Sequence, residues 1–158
     1  ALRIIEDSIQ QIHYLPTEGF ARNMGSPRDW FIQSSEFNRP VPLGSYGDGL
    51  RRLMTLALAV VRVKGGTLLV DEIDTGLHYS VMADMWKLVI KKALEADFQV
   101  FATTHSFDCI EGLSSLCEQE PDLSDKVAIH TVDRALPHSV AFSGDSISRM
   151  VKHQIDPR

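Results

Sequence analysis

Thr67-Leu68-Leu69-Val70-Asp71-Glu72-Ile73-Asp74-Thr75-Gly76-Leu77-His78 is the stretch that decides the fold. A short apolar run closed by two acids, after the break Gly65-Gly66, is the pattern of a central parallel strand, and such strands are buried on both faces. From about Tyr79 to Ala96, Met82, Trp86, Val89 and Ala93 recur at helical spacing, with Asp84, Lys87, Lys91 and Lys92 between them. Phe98 to Thr103 then reads as a second buried strand. Strand, helix, strand in this order is a βαβ unit with a right-handed crossover expected, so the class is α/β.

Working outward, Asp48 to about Val63 reads as a helix whose second half is apolar on nearly every face, which predicts burial all round or docking on two sides. A third helix is predicted over Phe107 to Cys117. Lys126 to Val132 and Ser139 to Phe142 read as paired strands, followed by a short helix over Asp145 to His153. Upstream, Ala1 to Tyr14 is apolar-rich, a short helix leading into a strand. Leu15 to Gly44 is rich in Gly, Pro, Asn and Ser, with a strand at Trp30 to Gln33 and turns at Pro27, Pro40 and Pro42.

Composition narrows the function classes. The 158 residues are 44% apolar and 23% charged, enough for one packed domain over 1–158 and too apolar for disorder. Sixteen Lys and Arg against 21 Asp and Glu leave a net charge of −5, so the totals give no polycation for phosphate backbones. Two cysteines, Cys109 and Cys117, make no disulfide framework and no CxxC pair, which favours a reducing, cytoplasmic setting. The apolar stretch Leu53 to Val63, interrupted by Thr55 and Arg62, falls short of the ~18 residues of a membrane span, so no membrane partner is expected.

Three clusters carry chemistry. In open α/β sheets ligands gather outside the carboxyl ends of the strands, where Asp71 and Glu72 stand. One acid there can hold Mg²⁺ through water, since a hard cation wants oxygen ligands, and the next can polarise an attacking water. Ala102-Thr103-Thr104-His105-Ser106 ends the second strand, and His105 can reach a transferring phosphoryl group. Ser45-Tyr46-Gly47-Asp48-Gly49-Leu50-Arg51-Arg52 opens the apolar helix, where free N–H groups and glycines make an anion site. Each cluster has a plainer alternative: solvated acids at a strand end, a surface or capping histidine, a glycine-rich turn. Metal and nuclease patterns fail on spacing. Asp71-x-x-Asp74 is not Asp-x-Asp, Ile73 blocks a Ca²⁺ loop, and the six histidines form no His-x₃₋₅-His pair.

Together the clusters resemble the C-terminal portion of an ABC-type P-loop ATPase, in the branch with SMC-like and OLD-like proteins. Runs similar to Asp71–Ser80 and Gln99–Ser106 occur in prokaryotic AAA-family (AAA_15/AAA_21-type) ATP-binding proteins, and the likeness is strongest from Pro42 to Leu113. The resemblance implies parallel core strands flanked by helices, with a C-terminal β-hairpin plus helix. It makes Thr67–Glu72 the Walker B strand with Asp71 at Mg²⁺ and Glu72 catalytic, and His105 the switch histidine. It makes Ser45, Gly47 and Gly49 a variant signature motif, and Ile73–His78 the D-loop, where Asp74 and His78 link two sites.

ATP and Mg²⁺ are the implied cofactors, and a head-to-tail homodimer sandwiching ATP is the implied assembly. Arg51 and Arg52 are left between supporting the signature turn and pairing with acids of a partner. One departure is large: Gly-x-x-x-x-Gly-Lys-Ser/Thr is absent, because Leu50-Arg51 follow the correctly spaced Gly44 and Gly49. The expectation is therefore a chain completed by a Walker A segment lying upstream, so that hydrolysis needs that segment. A nuclease or toxin effector, on another chain or upstream, and DNA are further expected partners, in an anti-phage setting. A nucleotide-gated interaction scaffold with little hydrolysis is the rival class, and a degenerate scaffold the blandest.

Overall fold

The computed structural model describes residues 2–4, 6–16, 28–133 and 135–153. The expected turn at Pro27 lies outside the described residues. Strands β1 (Ile9–Pro16), β2 (Arg28–Ser34) and β3 (Val41–Pro42) form an antiparallel sheet in that order. Pro42, expected in a turn, instead pairs with Phe31 at the sheet edge, where a residue without an N–H is tolerated. Tyr14 and Trp30 face each other across β1 and β2 with ring centroids 4.9 Å apart.

Helix α1 (Asp48–Arg62) follows a 3-10 turn at Leu43–Tyr46. Then come β4 (Thr67–Val70), a 3-10 turn at Tyr79–Val81, α2 (Met82–Ala96) and β5 (Gln99–Ala102). Strands β4 and β5 pair in parallel, Thr67 opposite Gln99 through Val70 opposite Ala102, so the βαβ reading holds. Helix α3 (Phe107–Gln119) continues two residues past the expected end. After a 3-10 stretch at Pro121–Lys126, β6 (Ala128–Thr131) and β7 (Val140–Ser143) pair antiparallel, and α4 (Gly144–Lys152) packs behind them.

Two apolar clusters hold these layers together. One gathers Ile32, Leu50, Leu53, Val60, Ile73 and Met85, each at most 1% exposed, and so ties β2, α1, the loop after β4 and α2. The other joins α2, α3 and α4 through Ile90, Ile110, Leu113, Leu116 and Ile147. Burying one such side chain contributes about 1.5–3 kcal/mol. Trp86 packs against both clusters and donates its indole N–H to the Cys109 carbonyl at 2.9 Å. Where α2 and α3 cross, Gly112 lets the backbones meet: a Cβ there would stand 2.4 Å from Met82 Cβ.

Two burial expectations are corrected. In β4–β5, Leu68, Val70, Val100 and Ala102 pack on the core, but Leu69 and Phe101 on the opposite face are 75% and 55% exposed. In α1, Leu53, Met54, Leu56 and Val60 are buried, whereas Leu58 and Val61 are bare. Period-2 and period-3.6 patterns show which residues are apolar, not which are covered; among the described residues one face of each of these elements stays open. Among the described residues β5 pairs only with β4, and β6 only with β7. Between these two sheets runs a 670 Å³ cleft lined by all of β5, by Lys126–Ala128 and His130, with Val89, Ile90, Ala93 and Leu113 among its walls.

Candidate active site

The two parallel strands end side by side, and their last residues form one hydrogen-bonded unit. Thr103 follows β5; its N–H bonds the Val70 carbonyl at 3.0 Å, and its own carbonyl receives the Ile73 N–H at 3.0 Å. Its hydroxyl donates to the Asp71 carboxylate and accepts the Glu72 N–H at 2.9 Å. Thr104 holds the next acid along, its hydroxyl donating to Asp74 Oδ1 at 2.5 Å. Adjacent threonines after one strand thus hold the acids after its neighbour.

Glu72 sits at φ 47°, a left-handed conformation that costs an L-residue about 1–2 kcal/mol and that clusters at functional positions. The strain is held from several sides. Besides Thr103 on its N–H, Arg52 of α1 donates through Nη2 to the Asp71 carbonyl at 2.9 Å and to the Glu72 carbonyl at 3.0 Å. The Thr75 hydroxyl donates to Glu72 Oε2 at 3.1 Å. Both Asp71 and Glu72 remain exposed to solvent. Beside them, Gly76 at φ 78° turns the chain so that it passes α1: a Cβ there would lie 3.9 Å from Asp48 Cβ. The turn opening α1 and the loop after β4 are therefore neighbours within one chain.

Gly47, at φ 86°, is the residue before the first helical position of α1, and Ser45 and Asp48 beside it are exposed. Arg51 folds back over Gly44, where a Cβ would stand 2.6 Å from its Nη2. His105 is exposed in the loop between β5 and α3, one residue before Ser106, whose hydroxyl caps α3 by accepting the Cys109 N–H at 3.3 Å. His78 caps the 3-10 turn at Tyr79: its Nδ1 accepts the Ser80 N–H at 3.4 Å, and its ring lies 4.2 Å from that of Tyr79.

Asp71, Glu72 and Asp74, drawn from the sequence, thus share one bonded unit, while Ser45 and Gly47 lie in the turn that opens α1, Gly49 in the first turn of that helix, and His105 in the loop after β5. Thr103 and Thr104 were legible only as small polar residues at a strand end, and the strand pairing is what brings them to Asp71 and Asp74; Thr75 meets Glu72 within one loop. Arg52, left open by sequence, turns inward onto the acidic loop of its own chain.

As to Mg²⁺, Asp71 offers an exposed hard-oxygen donor anchored by a hydroxyl. No group of three or more His, Cys, Asp or Glu among the described residues could form a closed cage. Such a sparse, oxygen-only donor set fits Mg²⁺, which keeps most of its waters, better than Zn²⁺ or Ca²⁺.

The parallel pair β4–β5, the helix between its strands and the acids at its carboxyl edge make this an α/β domain with its candidate site at that edge. Its fold is similar to a solved structure from work on ATP-driven dimerisation and DNA-stimulated activation of SMC ATPases (TM-score 0.58, 11% identity, 92% of this chain and 81% of that one). The chain belongs to the AAA_21 family, described as "AAA domain, putative AbiEii toxin, Type IV TA system", whose model matches residues 3–108. It is also similar to an ATP/GTP phosphatase of Helicobacter pylori (strain ATCC 700392 / 26695), 29% identical over 96 residues. That match spans 56% of this chain and a quarter, 25%, of the length of the relative. No helix among the described residues is long and apolar enough to cross a membrane.

Proposed function

We propose that this chain supplies the hydrolytic and signature halves of an ATP-hydrolysing site that works in a head-to-tail dimer in the cytoplasm. The observation that carries the reading is the unit in which Thr103 and Arg52 hold Asp71 and a strained Glu72 at the ends of two parallel strands. Asp71 helps place Mg²⁺, which when bound neutralises charge on the β- and γ-phosphates. Glu72 orients the attacking water and takes its proton, and His105 meets the γ-phosphate from the neighbouring strand end. Ser45, Gly47 and Gly49 offer N–H and hydroxyl donors to the γ-phosphate of the partner's site, where a helix N-terminus favours an anion. Asp74 and His78 link the two sites across the dimer, Asp74 by fixing the loop through Thr104 and His78 by presenting its exposed ring.

The triphosphate cradle comes from a segment carrying a Walker A loop. We place the strand of that segment in the cleft between β5 and β6. The cleft runs the length of a strand edge that is unpaired among the described residues, and Val89, Ile90, Ala93 and Leu113 give it an apolar side beside polar groups such as Gln99 and His130. Dimerisation on ATP is in keeping with the SMC ATPase likeness, and a toxin effector with the family description; a nuclease effector is the alternative, in an anti-phage setting where DNA is a candidate stimulus.

The test is Glu72→Gln in the ATPase assembled with its Walker A segment. Turnover should fall ~10²–10⁴-fold, the usual worth of general acid–base help, with ATP binding retained. Undiminished hydrolysis would remove Glu72 from this role. Calorimetric titration of Mg-ATP into the 158-residue chain alone should show no binding; tight binding would place the cradle on residues of this chain instead.

A further inference from the structure

Resting on the proposed role of Glu72, we infer that Arg52 is a positioning residue through which helix α1 sets the aim of the Glu72 carboxylate. The peptide joining Asp71 to Glu72 is gripped at both ends: its carbonyl receives Arg52 Nη2 at 2.9 Å, and its N–H is held by Thr103 Oγ1 at 2.9 Å. The next peptide is gripped as well, through the Glu72 carbonyl at 3.0 Å from the same Nη2. With two successive peptide planes fixed, the Cα–Cβ direction of Glu72 follows. The left-handed φ of 47° is what these bonds hold against the residue's own preference.

The guanidinium makes this grip from outside the acidic loop. Arg52 stands four residues after Asp48, the first residue of α1, one helical turn from the Ser45–Gly49 turn. The acidic loop passes close beside it, where a Cβ on Gly76 would lie 3.9 Å from Asp48 Cβ. A rigid helix with an anion-facing turn at one end and a fork on the hydrolytic residue one turn later joins two chemistries in one body. A displacement of α1 when its turn meets a γ-phosphate of the partner's site is carried by Arg52 to the Glu72 peptide of its own site. Arg52 reaches no phosphate and no attacking water in this scheme; it acts on the rate through Glu72.

The experiment is a double-mutant cycle in the assembled ATPase, with Arg52→Ala and Glu72→Gln made singly and together. Steady-state turnover, KM for ATP and thermal unfolding are read for each. Arg52→Ala should lower kcat about tenfold, within the ~10²-fold that a 1 Å misplacement can cost, and leave KM for ATP essentially unchanged. In the Glu72→Gln background the same substitution should cost nothing further, because the carboxylate it aims is gone. If Arg52→Ala does not fold, Arg52→Lys carries the same cycle, since its shorter arm cannot hold both carbonyls at their present places. An Arg52 effect of equal size in both backgrounds, a rise in KM alone, or an unchanged kcat would overturn the inference. Full hydrolysis by Glu72→Gln would instead remove the reading on which it rests.

Discussion

Replacing Thr103 by Val removes one hydroxyl and tests whether the paired acids are held from the neighbouring strand. That hydroxyl donates to the Asp71 carboxylate and accepts the Glu72 N–H at 2.9 Å. A hydrogen bond to a charged group contributes about 1.5–3 kcal/mol and a neutral one about 0.5–1.5. Both lie in a solvent-exposed unit, where water replaces part of what is lost, so the net cost is set at about 1–2 kcal/mol. Valine recovers a few tenths through its preference for extended backbone, which does not reverse the sign. For a chain this long, a loss of that size moves the melting temperature by about 2–8 °C. Urea unfolding of Thr103→Val should therefore show an earlier midpoint with an unchanged slope. Turnover of the assembled ATPase should fall, because Glu72 loses one of its fixed points. Thr103→Ser keeps the hydroxyl and should restore turnover. A Thr103→Val protein with parental midpoint and parental turnover would refute the reasoning.

Gly112→Ala should destabilise the protein by about 1–2 kcal/mol in urea unfolding, although alanine is the better helix former by ~1 kcal/mol. The new methyl meets Met82 Cβ at 2.4 Å and the Met82–Ala83 backbone at 3.0 Å, so α2 and α3 must part. Burial pushes the Cys109 thiol up to about 11 from 9.0, and raises that of Cys117. Native protein at pH 8 should resist iodoacetamide at both sites, and urea should expose them. For Cys109, a raised folded value means stability is full below about 9 and declines as pH rises from there toward 11. Glu120 is held below its ordinary value by Lys87 and Lys91, at 2.7 and 2.8 Å. Its stabilisation is present above the ordinary carboxylate range and lost as pH falls through the depressed value, so Glu120→Gln should lower the melting temperature at pH 7, weakly, and by less as the pH falls below that range. Added salt should shrink that difference.

The order of elements was legible because it rests on local rules. Gly65-Gly66 before an apolar run, acids after it, helical spacing of Met82, Trp86 and Val89, and Ser106 at a helix start are all short-range signals. The acids at the strand end were legible for the same reason. Their supports were not, because register is a property of two strands: Thr103 meets Asp71 only once Val70 lies opposite Ala102. Arg52 was beyond reach for a similar reason, since 19 residues separate it from Asp71 and only the crossing of α1 over the strand ends unites them. The two-sided burial read for β4 and β5 shows the opposite error. Leu69 and Phe101 carry the signature of a buried strand, yet among the described residues more than half of each is left uncovered.

That open face, beside a strand edge unpaired among the described residues, bears on how the polypeptide behaves while it is being made. A sheet edge with free N–H and C=O groups is a template for any extended chain nearby, and Leu69 and Phe101 add a sticky surface next to it. Until the edge is filled, a second copy competes for it, and parallel pairing between distant segments forms slowly. If the cleft takes a strand as proposed, co-expression of such a strand should raise the soluble yield more than any surface substitution.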